Sequence, residues 1–153
     1  MKKPFFLILF TFLISGYMNL SAMDARYWIQ SDGGICFALN GNNPVGLLIL
    51  TFSKDNKLYI SFSEKDICYS QEKSVKIQYQ FDHDQITEAA GYVPIPEISG
   101  IVYLVGNLAE FWASIQTKST LHVIIGENVL LPPTYDFLLY PLQDLLREGG
   151  YIQ

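Results

Sequence analysis

Apolar side chains recur at every second position in three segments of the chain, residues 48–52, 58–62 and 75–81. A period of two is typical of a half-buried β-strand whose apolar face packs on a core. The polar residues 54–56 separate the first two segments, so we predict that they form an antiparallel hairpin. Shorter apolar or β-branched runs predict the remaining strands, at residues 27–29, 35–39, 98–105, 120–125 and 135–139.

Two later segments follow helical spacing instead. The apolar positions of the first fall on one helical face: Leu108, Phe111, Trp112 and Ile115. We predict a helix over about 107–117, capped by the side chain of Asn107. A second helix is predicted over about 141–148, because Pro141 suits a first helical turn and Gly149 suits an end. The expected fold is α+β, mostly β: an antiparallel β-sandwich or curled sheet with two short helices.

The N-terminus has the three parts of a secretory signal peptide. Lys2 and Lys3 precede an apolar run over residues 5–14, and the small residue Ala22 follows. This run is shorter than the roughly 20 residues that a membrane-spanning helix needs, which disfavours the alternative of an uncleaved anchor. We therefore predict cleavage after Ala22, an exported single β-rich domain over 23–153, and no stable membrane insertion after cleavage.

The net charge of the chain disfavours some classes of binding partner. Residues 1–22 hold two lysines and no acid, so residues 23–153 carry all 15 acids against 10 − 2 = 8 bases, a net charge near −7. An acidic chain without a basic patch is a poor candidate for nucleic acid or anionic lipid. The partner expected is another envelope protein or an imported protein.

The two cysteines of the chain are Cys36 and Cys68. In an oxidising compartment such a pair indicates a structural disulfide. Because it would close a long loop, this disulfide would stabilise the fold by roughly 3.5–4 kcal/mol. A redox pair or free thiols are the alternatives, but catalytic dithiols are usually spaced Cys-x-x-Cys.

Few residues suggest catalytic chemistry. Asp82, His83 and Asp84 form one cluster, but alternation along a strand points the histidine away from both carboxylates. His122 lies in an aliphatic strand and is interpreted as a rim or satisfied core histidine. No serine lies in a Gly-x-Ser-x-Gly elbow, and no glycine-rich loop suits a phosphate. We expect no enzyme, no cofactor and no metal.

Residues 85–97 are predicted to be an irregular loop, since they include Gly91, Pro94 and Pro96. Long loops in compact domains often carry function, and apolar and aromatic side chains favour contact with a partner. The predicted partner-binding residues are Tyr92, Ile95, Pro96 and Ile98.

Residues 75–146 resemble the type VI secretion-associated VasI/TagO kind of Gram-negative periplasmic β-domain protein. The resemblance is carried by the Val-x-Ile-x-Tyr-x-Phe-Asp strand at 75–82, the helix and aliphatic strand at 111–125, and residues 137–146. The chain departs from that pattern at Gln80 and Pro141, where the family has arginine and glycine. It also resembles the invasion-associated locus B type of exported β-sandwich.

Both resemblances imply an exported β domain. We expect a non-enzymatic periplasmic interaction module, accessory to an envelope or secretion system and retained in the periplasm or secreted. The alternatives are an inhibitor or immunity protein against a toxin or cell-wall hydrolase, and a small enzyme.

Overall fold

The computed structural model describes residues 25–41, 46–64, 74–94, 100–126 and 134–153. The predicted signal peptide therefore lies outside the described residues. The described residues form nine strands and two helices. In chain order these are β1 (Ala25–Ile29), β2 (Ile35–Asn40), β3 (Gly46–Phe52), β4 (Leu58–Glu64), β5 (Ser74–Phe81), β6 (Thr87–Tyr92), β7 (Ile101–Val105), α1 (Leu108–Thr117), β8 (Thr120–Ile125), β9 (Thr134–Leu138) and α2 (Tyr140–Glu148).

The nine strands form one antiparallel sheet in the order β1-β2-β3-β4-β7-β6-β5-β8-β9. The hairpin predicted from period two is confirmed, since β3 pairs with β4 with Leu50 opposite Ile60. At its turn Asn56 takes the left-handed conformation, with φ of 57°. Asparagine tolerates this region better than most residues, which explains why it occupies the turn.

The sheet curls around one apolar core. Its inner face carries large apolar side chains from β2 to β9, including Phe37, Leu50, Phe62, Ile77, Val102, Val123 and Phe137. Curling brings Gly41, which follows β2, against β9, because a Cβ added at Gly41 would lie 3.2 Å from the Phe137 ring. Helix α2 follows β9 and contacts β1 and β2 at the opposite edge. Of the two predicted architectures, the curled sheet is the one observed.

Helix α1 fills the core with Phe111 and Ile115, both buried. The Phe111 ring packs edge-on against three aromatic rings of the sheet, with its centroid 6.2 Å from Phe62, 5.0 Å from Tyr79 and 4.9 Å from Phe81. Both helices agree with the predicted ranges to within one residue at either end. The predicted cap is wrong: Asn107 has a left-handed backbone and makes no side-chain cap hydrogen bond.

Within the segment 85–97, which is expected to be an irregular loop, Thr87–Tyr92 form strand β6, and residues 95–97 lie outside the described residues. β6 pairs with β5 through Ile77 opposite Ala89, and with β7 through Gly91 opposite Leu104. The prediction failed because the β6 sequence TEAAGY is rich in small residues that rarely favour strands. A Cβ at Gly91 would clash with the Val102 side chain, so the core on this side requires glycine.

Candidate functional site

The described part of the sheet opens between two neighbouring strands. β4 and β7 pair through Ser61–Ser63 and Ile101–Tyr103. Leu58–Ile60 and Leu104–Val105 lie beyond this paired stretch. A cavity of about 580 Å³ lies beside these residues. Its volume is within the range of ordinary ligand pockets.

Tyrosines from three strands contribute to the wall of this cavity, which we call the tyrosine groove. Tyr59 on β4, Tyr92 on β6 and Tyr103 on β7 lie along it, together with Val105. The ladder places Tyr103 directly opposite Ser61 on one side and Tyr92 on the other. Tyr59 and Tyr92 are 46% and 49% exposed, so their rings are open to a partner. The full described lining is Gln30, Asp32, Thr51, Ser53, Tyr59, Ile60, Tyr92, Tyr103, Leu104, Val105, Gly106 and Leu108.

The polar groups of the described lining include residues of the β1–β2 turn, of β3 and of the turn that follows β3. Asp32 accepts a hydrogen bond from the Gly34 N–H at 3.0 Å, which fixes the turn. Thr51 lies 3.3 Å from the Cys36 sulfur. Ser53 adds a hydroxyl to the lining. The described lining contains one carboxylate and no lysine, arginine or histidine.

Two ionisable groups in and beside the groove, the Cys36 thiol and the Tyr103 phenol, have raised pKa values. Burial is the main cause that raises the pKa of Cys36 to about 11. The hydrogen bond with Thr51 partly opposes this rise, and the charge of Asp32 adds to it. Burial, with smaller effects of Cys36 and Tyr59, raises the pKa of Tyr103 to about 12. Because burial is the main cause in both cases, the Cys36 thiol and the Tyr103 phenol stay in their neutral forms at neutral pH.

One predicted partner-binding residue, Tyr92, lies in the groove, although at the end of a strand and not in a loop. The other three, Ile95, Pro96 and Ile98, lie outside the described residues. Tyr59 and Tyr103 were not among the predicted partner-binding residues. Alternation indicates that Tyr59 faces away from the core, but it does not indicate which strand lies next to β4.

Cys36 is a buried thiol that forms no disulfide with any described residue. Its predicted partner, Cys68, lies outside the described residues. The disulfide between them therefore stays a prediction.

The Asp82 cluster has a structural role in the described part of the chain. One carboxylate oxygen of Asp82 accepts hydrogen bonds from the N–H of Ser119 at 3.0 Å and from the N–H of Thr120 at 2.8 Å. Asp84 forms a 2.8 Å ion pair with Lys118. Both contacts fasten the end of β5 to the connection between α1 and β8. No group of three His, Cys, Asp or Glu residues suited to a metal occurs among the described residues.

His122 is on the outer face of β8 and not in the core. Its Nδ1 lies 2.5 Å from a carboxylate oxygen of Asp136 on β9. The two residues are directly opposite each other in the ladder. The pair is exposed and joins two neighbouring strands, so it is best explained as a cross-strand contact.

Comparison with known proteins gives a fold and no family. No family model matches the chain, and no curated protein matches it. Among solved structures, the chain is similar to invasion associated protein b from Bartonella henselae, with a TM-score of 0.56 and 10% identity over 84% of this chain and 93% of that one. This similarity supports the fold that the resemblance to the invasion-associated locus B type implies. Nothing in the comparisons supports the VasI/TagO resemblance. No described helix has the length and apolar character needed to cross a bilayer.

Proposed function

We propose that this chain is a non-enzymatic, exported protein-interaction module that binds its partner through the tyrosine groove. The observation that carries the proposal is the convergence of Tyr59, Tyr92 and Tyr103 on one cavity of about 580 Å³. Tyrosine is enriched at protein interfaces because it offers a large apolar ring and a polar end at little cost in side-chain entropy.

The same cavity is poorly equipped for catalysis. Its neighbouring thiol, Cys36, has a raised pKa and is buried, whereas a nucleophilic cysteine needs a lowered pKa and access to its substrate. No histidine belongs to the described lining to act as a general base. These features favour binding over chemistry.

Export is supported by the charged and apolar pattern of residues 1–22, and the neighbouring fold belongs to an invasion-associated protein. A module of this kind would act in the envelope or after release. The partner is then an envelope protein or an imported one, and a neutralised toxin or hydrolase is one form that the imported partner can take.

Crosslinking tests the proposal. The full chain is expressed in its native host, crosslinked in the periplasm and captured, and the partners are identified by mass spectrometry. We expect a dominant partner that is lost in Tyr92→Ala. Tyr140→Ala is the matched control, because Tyr140 is 54% exposed but lies on α2, outside the described lining of the groove.

Equal capture by the wild-type chain and Tyr92→Ala would contradict binding through the groove. Capture that falls equally in both tyrosine variants would attribute the loss to exposed tyrosines in general. Absence of any partner above an uninduced control would contradict the interaction module itself.

A further inference from the structure

We propose that the tyrosine groove recognises an arginine side chain carried by an extended segment of the partner protein. This inference rests on the proposed function and specifies the chemistry of its partner. It follows from the ring surfaces, the charge and the size of the groove.

The tyrosine rings of the groove offer surfaces on which a guanidinium group can stack. Tyr59 and Tyr92 are half exposed, and Tyr103 lies across the ladder from Tyr92 in the same wall. A guanidinium group stacks on tyrosine faces through its positive charge and its planar surface. Lysine has a compact, strongly hydrated charge and gains less from such rings.

The charge of the described groove lining is negative. Asp32 is the one carboxylate of the described lining, and no base accompanies it. One oxygen of Asp32 accepts from Gly34, and a carboxylate has further acceptor sites that an arginine can use. The whole chain is also acidic, at −5, which attracts a basic partner over longer distances.

The size of the groove indicates a segment and not a lone cation. A cavity of about 580 Å³ is larger than a single guanidinium group needs. Apolar side chains such as Val105 and Leu108 line the remainder, so residues flanking the arginine have apolar surface to cover. An extended segment presents its side chains and backbone to such a cavity together.

Three matched peptides test the inference on the purified, naturally processed chain. They have the form acetyl-Ser-Val-X-Val-Ser-amide, so that apolar residues flank X, where X is arginine, norleucine or glutamate, and binding is followed by NMR titration of the isotopically labelled protein. We expect the arginine peptide to bind at least about tenfold more tightly than the other two, and its affinity to fall with added salt.

Two variants locate the binding. Asp32→Asn keeps the oxygen that accepts from Gly34, so the turn is retained while the charge is removed. It should weaken the arginine peptide about threefold to tenfold and leave the norleucine peptide unchanged. Tyr92→Ala should weaken the arginine peptide about tenfold, and Tyr140→Ala should not affect it.

Equal binding of the three peptides, or no binding of any, would overturn the arginine inference. Equal affinity for free acetylarginine amide and for the arginine peptide would overturn the partner segment as the occupant. The crosslinking experiment distinguishes this inference from the proposed function. A partner that is lost in Tyr92→Ala but retained in Asp32→Asn would support the interaction module and contradict its arginine specificity.

Discussion

The side-chain amide of Gln143 holds the two helices together, and its replacement gives a sharp test of the core. Gln143 lies on α2 and is 8% exposed. Its Nε2 donates to the carbonyl oxygens of Ile115 at 2.8 Å and Lys118 at 2.7 Å, both at the C-terminal end of α1. Carbonyl groups in the last turn of a helix lack partners within the helix, so this amide satisfies two of them.

Gln143→Met keeps the length of the side chain and removes both hydrogen bonds. A neutral hydrogen bond contributes about 0.5–1.5 kcal/mol, and a buried acceptor left unpaired costs about 1–3 kcal/mol. We predict a loss of about 2 kcal/mol in the free energy of unfolding. For a chain of this length this corresponds to a fall in Tm of roughly 4–8 °C.

Gln143→Glu should be worse at neutral pH, because a carboxylate only accepts and would face two carbonyl oxygens. Burial and these carbonyls raise the pKa of the introduced carboxyl in the folded state. The folded state then binds the proton more tightly than the unfolded state, so the variant recovers stability as the pH falls through the raised folded-state pKa.

Urea unfolding followed by fluorescence measures both effects, with Gln116→Met as the matched control. Gln116 bonds a carbonyl of its own helix, that of Trp112, at 3.3 Å and joins no second element. The control should lose less than about 0.5 kcal/mol. Equal losses for the two methionine variants, or a Gln143→Glu variant that does not gain stability in acid, would refute this account of the helix contact.

Three further changes test other parts of the fold by the same unfolding measurement. Tyr135→Phe should be neutral or stabilising by up to about 1 kcal/mol, because the buried Tyr135 hydroxyl has no hydrogen-bond partner among the described residues; a loss above 1 kcal/mol would contradict this. Gly91→Ala should destabilise by about 1–3 kcal/mol, since its methyl group would meet Val102; a neutral result would show that the core yields there. Asp82→Asn should cost about 1 kcal/mol at pH 7. Burial raises the pKa of Asp82, but the hydrogen bonds from Thr120 and Ser119 and the charge of Lys118 together outweigh it and lower the pKa overall. The wild type should therefore lose this contribution as the pH falls through the folded-state pKa, and the variant should depend less on pH; parallel pH profiles would contradict it.

Local sequence patterns predict an element correctly where its contacts are made by residues that are close together in the sequence. The β3–β4 hairpin follows from period two and a polar turn, and its register places Leu48 opposite Phe62 as the pattern requires. The buried face of α1 follows from helical spacing, which places Phe111 and Ile115 inside. In both cases neighbours in the sequence are also neighbours in space.

Contacts between distant segments could not be predicted in this way. Asp82 accepts hydrogen bonds from a segment 38 residues further along the chain. Its position at the end of a predicted strand does not indicate these partners. The missing information is the order of strands in the sheet, which period two does not contain.

Strand β6 shows how the candidate site depended on that missing order. The sequence predicts Tyr92 in a long loop, yet Tyr92 is exposed at the end of a strand that pairs with β5 on one side and β7 on the other. The small residue Gly91 makes this possible, because the inner face of β6 at that position is already filled by the side chains of Val102 and Ile77. The strand therefore forms through its neighbours and against its own propensity. Once β7 lies between β4 and β6, outward tyrosines from all three strands must share one face, and the groove follows from the sheet order.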